Sequence, residues 1–352
     1  MTATSNGIDR IGDLRVGLVG AGGIAPVHAA GWSAIGASVQ VFSHEGAREL
    51  AAAYPMTVAS SLGEMLRAVD VVDIVTPSHT HRSIALEAIA AGCHVICEKP
   101  LGSSVADAHE ILTTAGARGV RVFPAHVVRY FPEYAAIREQ IVAGRIGRLG
   151  ILRFTRSGEA PRGKDWFFDE RHGGGVVRDL MIHDLDQALW MAGEVVEVFG
   201  VQNPPAVDGI ASAPVVAQAV LTHANGAISY LDAHWGPPGT AFRTTVSAFG
   251  EDGMLEHDSA HNHTSRVELA ADAGDGYVPS TPGAVSPYEL ELRDFISAIG
   301  TGRVARVSPS DGAAAVALAE EVLQSIRTGE PVACQTDDVR LPSPRQAMAA
   351  RP

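Results

Sequence analysis

The chain has little of what several protein classes require. Its 352 residues include three cysteines, Cys93, Cys97 and Cys334. Three thiols cannot build a disulfide framework, and the step from Cys93 to Cys97 is not a usual zinc spacing. The expected state is buried and reduced. No uncharged apolar run approaches the roughly 20 residues of a membrane-spanning helix. The first ten residues, MTATSNGIDR, lack the apolar stretch of a secretory signal, so a cytoplasmic location is expected. Bases are also short: 27 Lys and Arg stand against 40 Asp and Glu, a net charge of −13. Such a surface repels phosphate backbones and anionic lipid, which argues against nucleic acid or membrane as main partners and still leaves room for one basic pocket. There is no internal repeat, no long low-complexity segment, no Gly-x-Ser-x-Gly elbow and no Walker A lysine motif.

What is present divides into two grammars. From Leu14 to about Phe123, short apolar runs alternate with helical stretches. The runs are Leu14–Val19, Ala37–Phe42, Val71–Thr76, His94–Glu98 and Arg121–Pro124. The helical stretches are Gly22–Ile35, Glu45–Tyr54, Ser61–Ala68, Thr80–Ala91 and Ser103–Arg118. That alternation predicts an α/β Rossmann domain over residues 1–135, with a doubly wound parallel sheet. After Gly150 extended runs dominate: Ile151–Ser157, Val195–Val201, Pro214–Thr222, Ala227–Trp235, Thr244–Gly250 and Arg266–Ala270, with one long helix over Gly174–Met191. Asn225-Gly226 between two runs is a hairpin signal. Residues 136–352 are therefore expected to form an α+β domain, a mostly antiparallel open sheet with helices on one face. Late helices over Pro287–Ile299 and Pro309–Arg327 are expected to return as braces between the domains, with a loose or docked tail after Val339. A sheet covered on one face leaves the other to bury, which predicts a homodimer or homotetramer.

Gly20-Ala-Gly22-Gly23-Ile24-Ala25 follows the first apolar run and opens the first helix. This is the Gly-x-Gly-x-x-Ala pattern in the strand–turn–helix context that a dinucleotide needs. Gly20 allows the tight turn, Gly22 lets a pyrophosphate approach the backbone, and Ala25 keeps helix and strand close. A carboxylate that would hold the adenosine ribose is expected about twenty residues on. Ser43 stands there, followed by His44, Glu45 and Arg48. Without that carboxylate a 2′-phosphate meets no repulsion and Arg48 can pair with it, which predicts NADP ahead of NAD. The competing reading makes Arg48 a solvated helix charge and gives the ribose to Glu45.

Cys97-Glu98-Lys99-Pro100 ends the fourth of these apolar runs, His94–Glu98, at the strand end where ligands of such sheets bind. Lys99 can point its ammonium at a bound nicotinamide, and Lys99-Pro100 is a candidate cis bond. Farther on, three glycines, Gly173 to Gly175, precede Asp179 and His183, spaced i and i+4 so as to share a helix face. An imidazole can take and return a proton near neutral pH. The same spacing alone also describes an ordinary surface pair. Glu256-His257-Asp258 with His261 and His263 has metal-binding residue types but no ligand spacing; a polar loop and no metal are expected.

Taken in order, these motifs resemble the glucose–fructose oxidoreductase / inositol dehydrogenase (Gfo/Idh/MocA) family over about residues 13 to 335: Gly20–Ala25; Thr76-Pro-Ser-His-Thr-His81; Ala91–Pro100; Arg129-Tyr-Phe-Pro132; and Gly173–Gly175 with Asp179 and His183. Ser78 departs from the Asn of many members, and Ser43 from the Asp of NAD-using members. The resemblance implies an NAD(P)-dependent oxidoreductase acting on a secondary hydroxyl or carbonyl of a sugar, polyol or related small molecule. It implies Lys99, Asp179 and His183 as the catalytic set: His183 the base, Lys99 the partner of the reacting oxygen, Asp179 the orienting group. Cofactor contacts are expected at Gly20, Gly22, Gly23, Ile24, Ser43, His44, Arg48, Thr76, Pro77, His81, Glu98 and Lys99, and substrate contacts at His126, Arg129, Trp166, Asp179 and His183. Two other readings are a non-catalytic dinucleotide sensor and a lyase or hydrolase that uses bound NAD for transient oxidation.

Overall fold

A computed structural model describes residues 14–260 and 285–334. The N-terminal alternation folds as strand Arg15–Val19 (β1), helix Ala25–Ile35 (α1), Ser38–Phe42 (β2), Ala47–Ala53 (α2), Met56–Val58 (β3), Leu62–Leu66 (α3), Val71–Ile74 (β4), His81–Ala90 (α4), His94–Glu98 (β5), Val105–Arg118 (α5) and Val122–Ala125 (β6). The six strands pair in parallel in the order β3-β2-β1-β4-β5-β6. This is the Rossmann order, with its reversal between β1 and β4. β4 is buried along its whole length, as expected of a parallel strand covered on both faces. Local signals set the helix ends. Ser104 accepts the Asp107 N–H ahead of α5, and Gly36 and Gly119 close α1 and α5 in the left-handed region. β3 was not among the expected strands; three residues with two of them exposed leave no apolar period to read.

The second grammar begins with Pro132–Val142 (α6) and Leu149–Glu159 (β7). A helical stretch follows, but it is not one continuous α-helix: Val177–Met181 is a π-helical segment that runs into Ile182–Ala192 (α7). Then come Val195–Asn203 (β8), Val215–His223 (β9), Ile228–Gly236 (β10), Arg243–Gly250 (β11), Met254–Asp258 (β12), Pro287–Thr301 (α8), Pro309–Thr328 (α9) and Val332–Ala333 (β13). Seven strands order as β12-β11-β7-β10-β9-β8-β13. Every pair is antiparallel except β7 with β10. Asn225-Gly226 turns the β9–β10 hairpin, with Gly226 at φ 86°. Glu256, His257 and Asp258, expected in a loop, are the end of edge strand β12, where Asp258 pairs with Arg243. The expected strand Arg266–Ala270, His261, His263 and the tail after Val339 lie outside the described residues.

Over the described residues the chain forms two units, one within Met1–Ala135 and Val267–Pro309, the other within Ala136–Arg266 and Ser310–Pro352. The late helices divide between them. In the first unit α8 packs on α1, Phe295 stacks on Phe123 with centroids 5.0 Å apart, and an added Cβ on Gly31 would lie 2.9 Å from Leu292. In the second, α7 packs on β7 and β10, and α9 approaches β8 closely enough for Ser325 to accept the buried Gly200 N–H. Among the described residues no helix is long and apolar enough to cross a membrane. Cys93 and Cys97 are buried thiols, and burial pushes Cys93 up to about 11.

Candidate functional site

In the first unit the candidate residues lie at the carboxyl ends of β1, β4 and β5. Gly20 leaves β1 at φ 114°, and a Cβ there would sit 2.7 Å from the Val75 carbonyl oxygen, so the turn admits glycine for two separate reasons. Around Gly22 and Gly23 the situation is opposite: nothing lies within 4 Å of where a Cβ would be. That open backbone leads into α1, whose first turn carries no side-chain cap and no acidic residue. The N–H groups of Ala25, Val27 and His28 are taken by the Gly22 and Ile24 carbonyls and Pro26 has none, so it is the open backbone at Gly22 and Gly23, just ahead of the helix, that fits a dinucleotide pyrophosphate. The helix itself begins at Ala25, later than Gly22. At the end of β2, Ser43 is half-buried, His44 and Arg48 are exposed, and the His44 ring lies edge-on to Phe42 at 5.8 Å.

Thr76 and Pro77 lead from β4 into a short 3₁₀ turn, Ser78–Thr80, closed by a Thr80–Thr76 hydroxyl hydrogen bond of 2.7 Å. His81 is buried, with Nδ1 2.8 Å from the Pro100 carbonyl oxygen and Nε2 2.8 Å from that of Thr76. Its ring thus ties the turn after β4 to the turn after β5. Lys99 is half-buried, Lys99-Pro100 is cis, and the Lys99 N–H donates to Glu98 Oε2 at 3.0 Å. His126 is buried after β6. Arg129 is 2% exposed; it donates to the Arg306 carbonyl, and Arg306 donates back to the Arg129 carbonyl. The guanidinium therefore serves as a brace inside the first unit.

Sequence reasoning missed a buried cluster behind Lys99. His28 on α1 lies 2.8 Å from Asp73 Oδ2 through Nδ1 and 3.1 Å from Glu98 Oε1 through Nε2. Trp32 donates its indole N–H to the same Asp73 oxygen at 2.7 Å. Glu291 from α8 is fully buried, and neither carboxyl oxygen has a hydrogen-bond partner among the described residues. The available signal was Asp73, a charge inside the otherwise apolar run Val71–Ile74, which requires a buried partner.

In the second unit crowding forces glycine at the first two of the three positions, and a left-handed φ of 63° favours it at Gly175. A Cβ on Gly173 would lie 2.5 Å from the Phe167 Cα, and one on Gly174 2.3 Å from the Arg178 Cβ. The loop before it is organised by Asp169, whose carbonyl accepts the Gly173 and Gly174 N–H groups. Its carboxylate takes Arg171 and His172, and the Arg171 hydrogen bonds hold it well below the usual range. Trp166 is half-buried and stacks on Phe167 with centroids 3.8 Å apart. Asp179 falls inside the π-helical segment and His183 in the first turn of α7. The widened turn replaces the simple one-turn spacing expected for the pair, and such segments recur at functional positions. Both are nearly buried, at 6% and 9% exposure. The next residue, Asp184, is locked to the sheet: Arg156 of β7 donates to it twice, at 3.1 and 2.7 Å, with both side chains buried.

Comparison with known proteins adds an independent line. The description "Oxidoreductase family, NAD-binding Rossmann fold" matches residues 14–126, and "GFO/IDH/MocA C-terminal domain" matches residues 134–256. The chain is similar to myo-inositol 2-dehydrogenase of Thermotoga maritima, 28% identical over 73% of this chain and 78% of that protein. It is also similar to inositol 2-dehydrogenase of Rhizobium meliloti, 27% identical over 89% of this chain and 97% of that one. Among solved structures it superposes on GenD2 from gentamicin A biosynthesis, in complex with NAD, with a TM-score of 0.80 and 26% identity, covering 92% of this chain and 97% of that one. The glycine turn, the parallel sheet order and these matches identify the chain as a member of the GFO/IDH/MocA oxidoreductase family.

Proposed function

We propose that the protein is an NAD(P)-dependent dehydrogenase acting on a secondary hydroxyl, or the matching carbonyl, of a sugar, polyol or related small molecule. The observation that carries this is the first unit's arrangement: the open glycine turn at the strand-order reversal and Lys99 at the carboxyl end of β5 belong to one edge of one sheet. The relatives named as inositol dehydrogenases support the substrate class. The bound nicotinamide supplies the hydride chemistry. His183 takes the hydroxyl proton, Lys99 hydrogen-bonds the same oxygen and stabilises its developing negative charge, and Asp179 orients substrate and base. Trp166 offers an aromatic face to a sugar ring. A cofactor-reduction screen over cyclitols, aldoses and sugar acids tests the assignment; reduction with at least one class is expected, and none with any class would overturn it.

The cofactor preferred is NADP. Ser43 places no carboxylate where a 2′-phosphate would sit, and Arg48 lies in the first turn of α2. Isothermal titration is expected to show tighter binding of NADP than of NAD, and Ser43→Asp to weaken NADP more than NAD. Tighter NAD binding reverses the preference.

The protein assembles with itself. Helices α7 and α9 cover one face of the seven-stranded sheet. The other presents Phe199, Val220, Tyr230 and Arg153 as one cross-strand row, with Phe199 and Tyr230 38% and 40% exposed. Sedimentation at micromolar concentration is expected to give a dimer or tetramer, and Tyr230→Lys to shift it toward monomer; a wild-type monomer contradicts the assignment.

A further inference from the structure

We propose that His28 is a positioning residue for Lys99: donating from Nδ1 to Asp73 and from Nε2 to Glu98, its ring fixes the carboxylate that accepts the Lys99 N–H and so sets how the chain leaves β5. The inference rests on the dehydrogenase reading for the role of Lys99, but not for the geometry.

The geometry is a chain of three contacts across three elements. Asp73 on β4 holds the Nδ1 side of the ring, and Trp32, one turn along α1 from His28, donates to the same Asp73 oxygen. The Nε2 side reaches Glu98 at the end of β5, whose other oxygen takes the Lys99 backbone N–H at 3.0 Å. An imidazole that faces carboxylate oxygens with both nitrogens must donate from both, which requires the imidazolium. With either nitrogen bare, a lone pair would face a carboxylate in a site where His28 and Asp73 side chains are wholly buried.

The surrounding charges agree. Burial alone would push the His28 imidazole down; the Asp73 and Glu98 carboxylates outweigh it and hold the ring well above its ordinary value. Burial would push Glu98 up, but the His28 hydrogen bond holds it below the usual carboxylate range. From α8, burial and then the Glu98 charge push Glu291 well above its usual value, so it closes the cluster as a neutral acid. Asp294 of the same helix is engaged by Tyr130 and by the Arg306 N–H, and the Tyr288 ring lies edge-on to His28 at 5.9 Å. Burial keeps the Cys97 thiol and the Tyr130 phenol protonated. The imidazolium is thus the counter-charge that holds the buried Glu98 carboxylate behind Lys99, while its other nitrogen is anchored on Asp73. Its folded-state value is raised, so this contribution is complete only below the ordinary imidazole value of about 6.5 and is lost progressively as pH rises from there through the raised value.

The test uses the full-length holoenzyme. In ¹⁵N-histidine-labelled protein, with the His28 resonances assigned by their loss in His28→Gln, both ring nitrogens are expected to carry protons at neutral pH; a neutral ring overturns the proposal. Hydrogen exchange at the Lys99 amide is expected to accelerate about tenfold or more in His28→Gln and to change little in the rest of β5. In steady state the same variant is expected to lower kcat about tenfold or more with the polyol KM little changed. Because His28→Gln can fail to fold, Asp73→Asn provides a second arm. It removes one counter-charge and keeps the shape, so the alkaline limb of kcat is expected to move to lower pH by about one unit. An unshifted limb together with unchanged Lys99 exchange also overturns the proposal. If the wild-type protein reduces no cofactor with any polyol, the dehydrogenase reading falls, while the nitrogen spectra and the Lys99 exchange still decide the role of His28.

Discussion

Lys99→Met and His183→Ala are each expected to lower turnover by about 10²–10⁴-fold, the usual contribution of a general acid–base or oxyanion-stabilising group. Cofactor affinity is expected to hold, because the pyrophosphate cradle at Gly20, Gly22 and the start of α1 is untouched by either change. Lys99→Met keeps the length of the side chain and removes the ammonium; the backbone N–H that donates to Glu98 is retained. Its loss should therefore appear in kcat rather than in folding. Asp179→Asn, in the π-helical segment, is expected to weaken substrate binding and turnover together. Stopped-flow reduction of the cofactor and titration calorimetry on the same preparations separate chemistry from binding. Near-normal turnover in His183→Ala would remove the proton-transfer assignment and favour the sensor reading.

Arg156→Ala is expected to destabilise the second unit by about 3–5 kcal/mol, because it strands the Asp184 carboxylate in the interior. A hydrophobic double replacement, Arg156→Met with Asp184→Leu, is expected to recover most of that loss, since it leaves no buried charge. Urea unfolding of the two variants measures the difference. The pair also bears on the chemistry: Asp184 adjoins His183, so the double variant should lose turnover even where stability returns. Equal stability in both variants would mean that the ion pair does not hold α7 to β7.

Legibility varied with how local the signal was. β4 and β5 were readable because parallel strands buried on both faces are near-continuous apolar runs, broken here only by Asp73 within β4 and by His94 and Glu98 at the ends of β5, and the turn at Gly20 because its φ and its crowding by Val75 leave no other residue. Lys99 carried a further signal: Lys99 and Lys164 are the two lysines in a chain that otherwise uses arginine. The π-helical segment at Val177–Met181 was not readable, since apolar periodicity over Gly174–Met191 does not register one extra residue in a turn. β12 was hidden because an edge strand tolerates polar residues on both faces. For α8, Leu292 and Phe295 announce a buried face but not its partner; only tertiary structure reveals that it covers α1 and Phe123. Arg129 shows the converse, a residue whose type suits an anionic or polar ligand but which is buried with one guanidinium N–H on the Arg306 carbonyl.

A dehydrogenase transfers net hydride from the polyol carbon to the cofactor. The most direct measurement of that transfer follows deuterium. The protein is incubated with oxidised cofactor and a panel of cyclitols and sugars deuterated at their carbinol carbons, and the products are read by NMR. The predicted result is deuterium at C4 of free reduced cofactor, matched by an equal amount of ketone or lactone product. Deuterium returned to an eliminated or hydrolysed product, with no net reduced cofactor, would contradict the dehydrogenase assignment and establish transient oxidation instead.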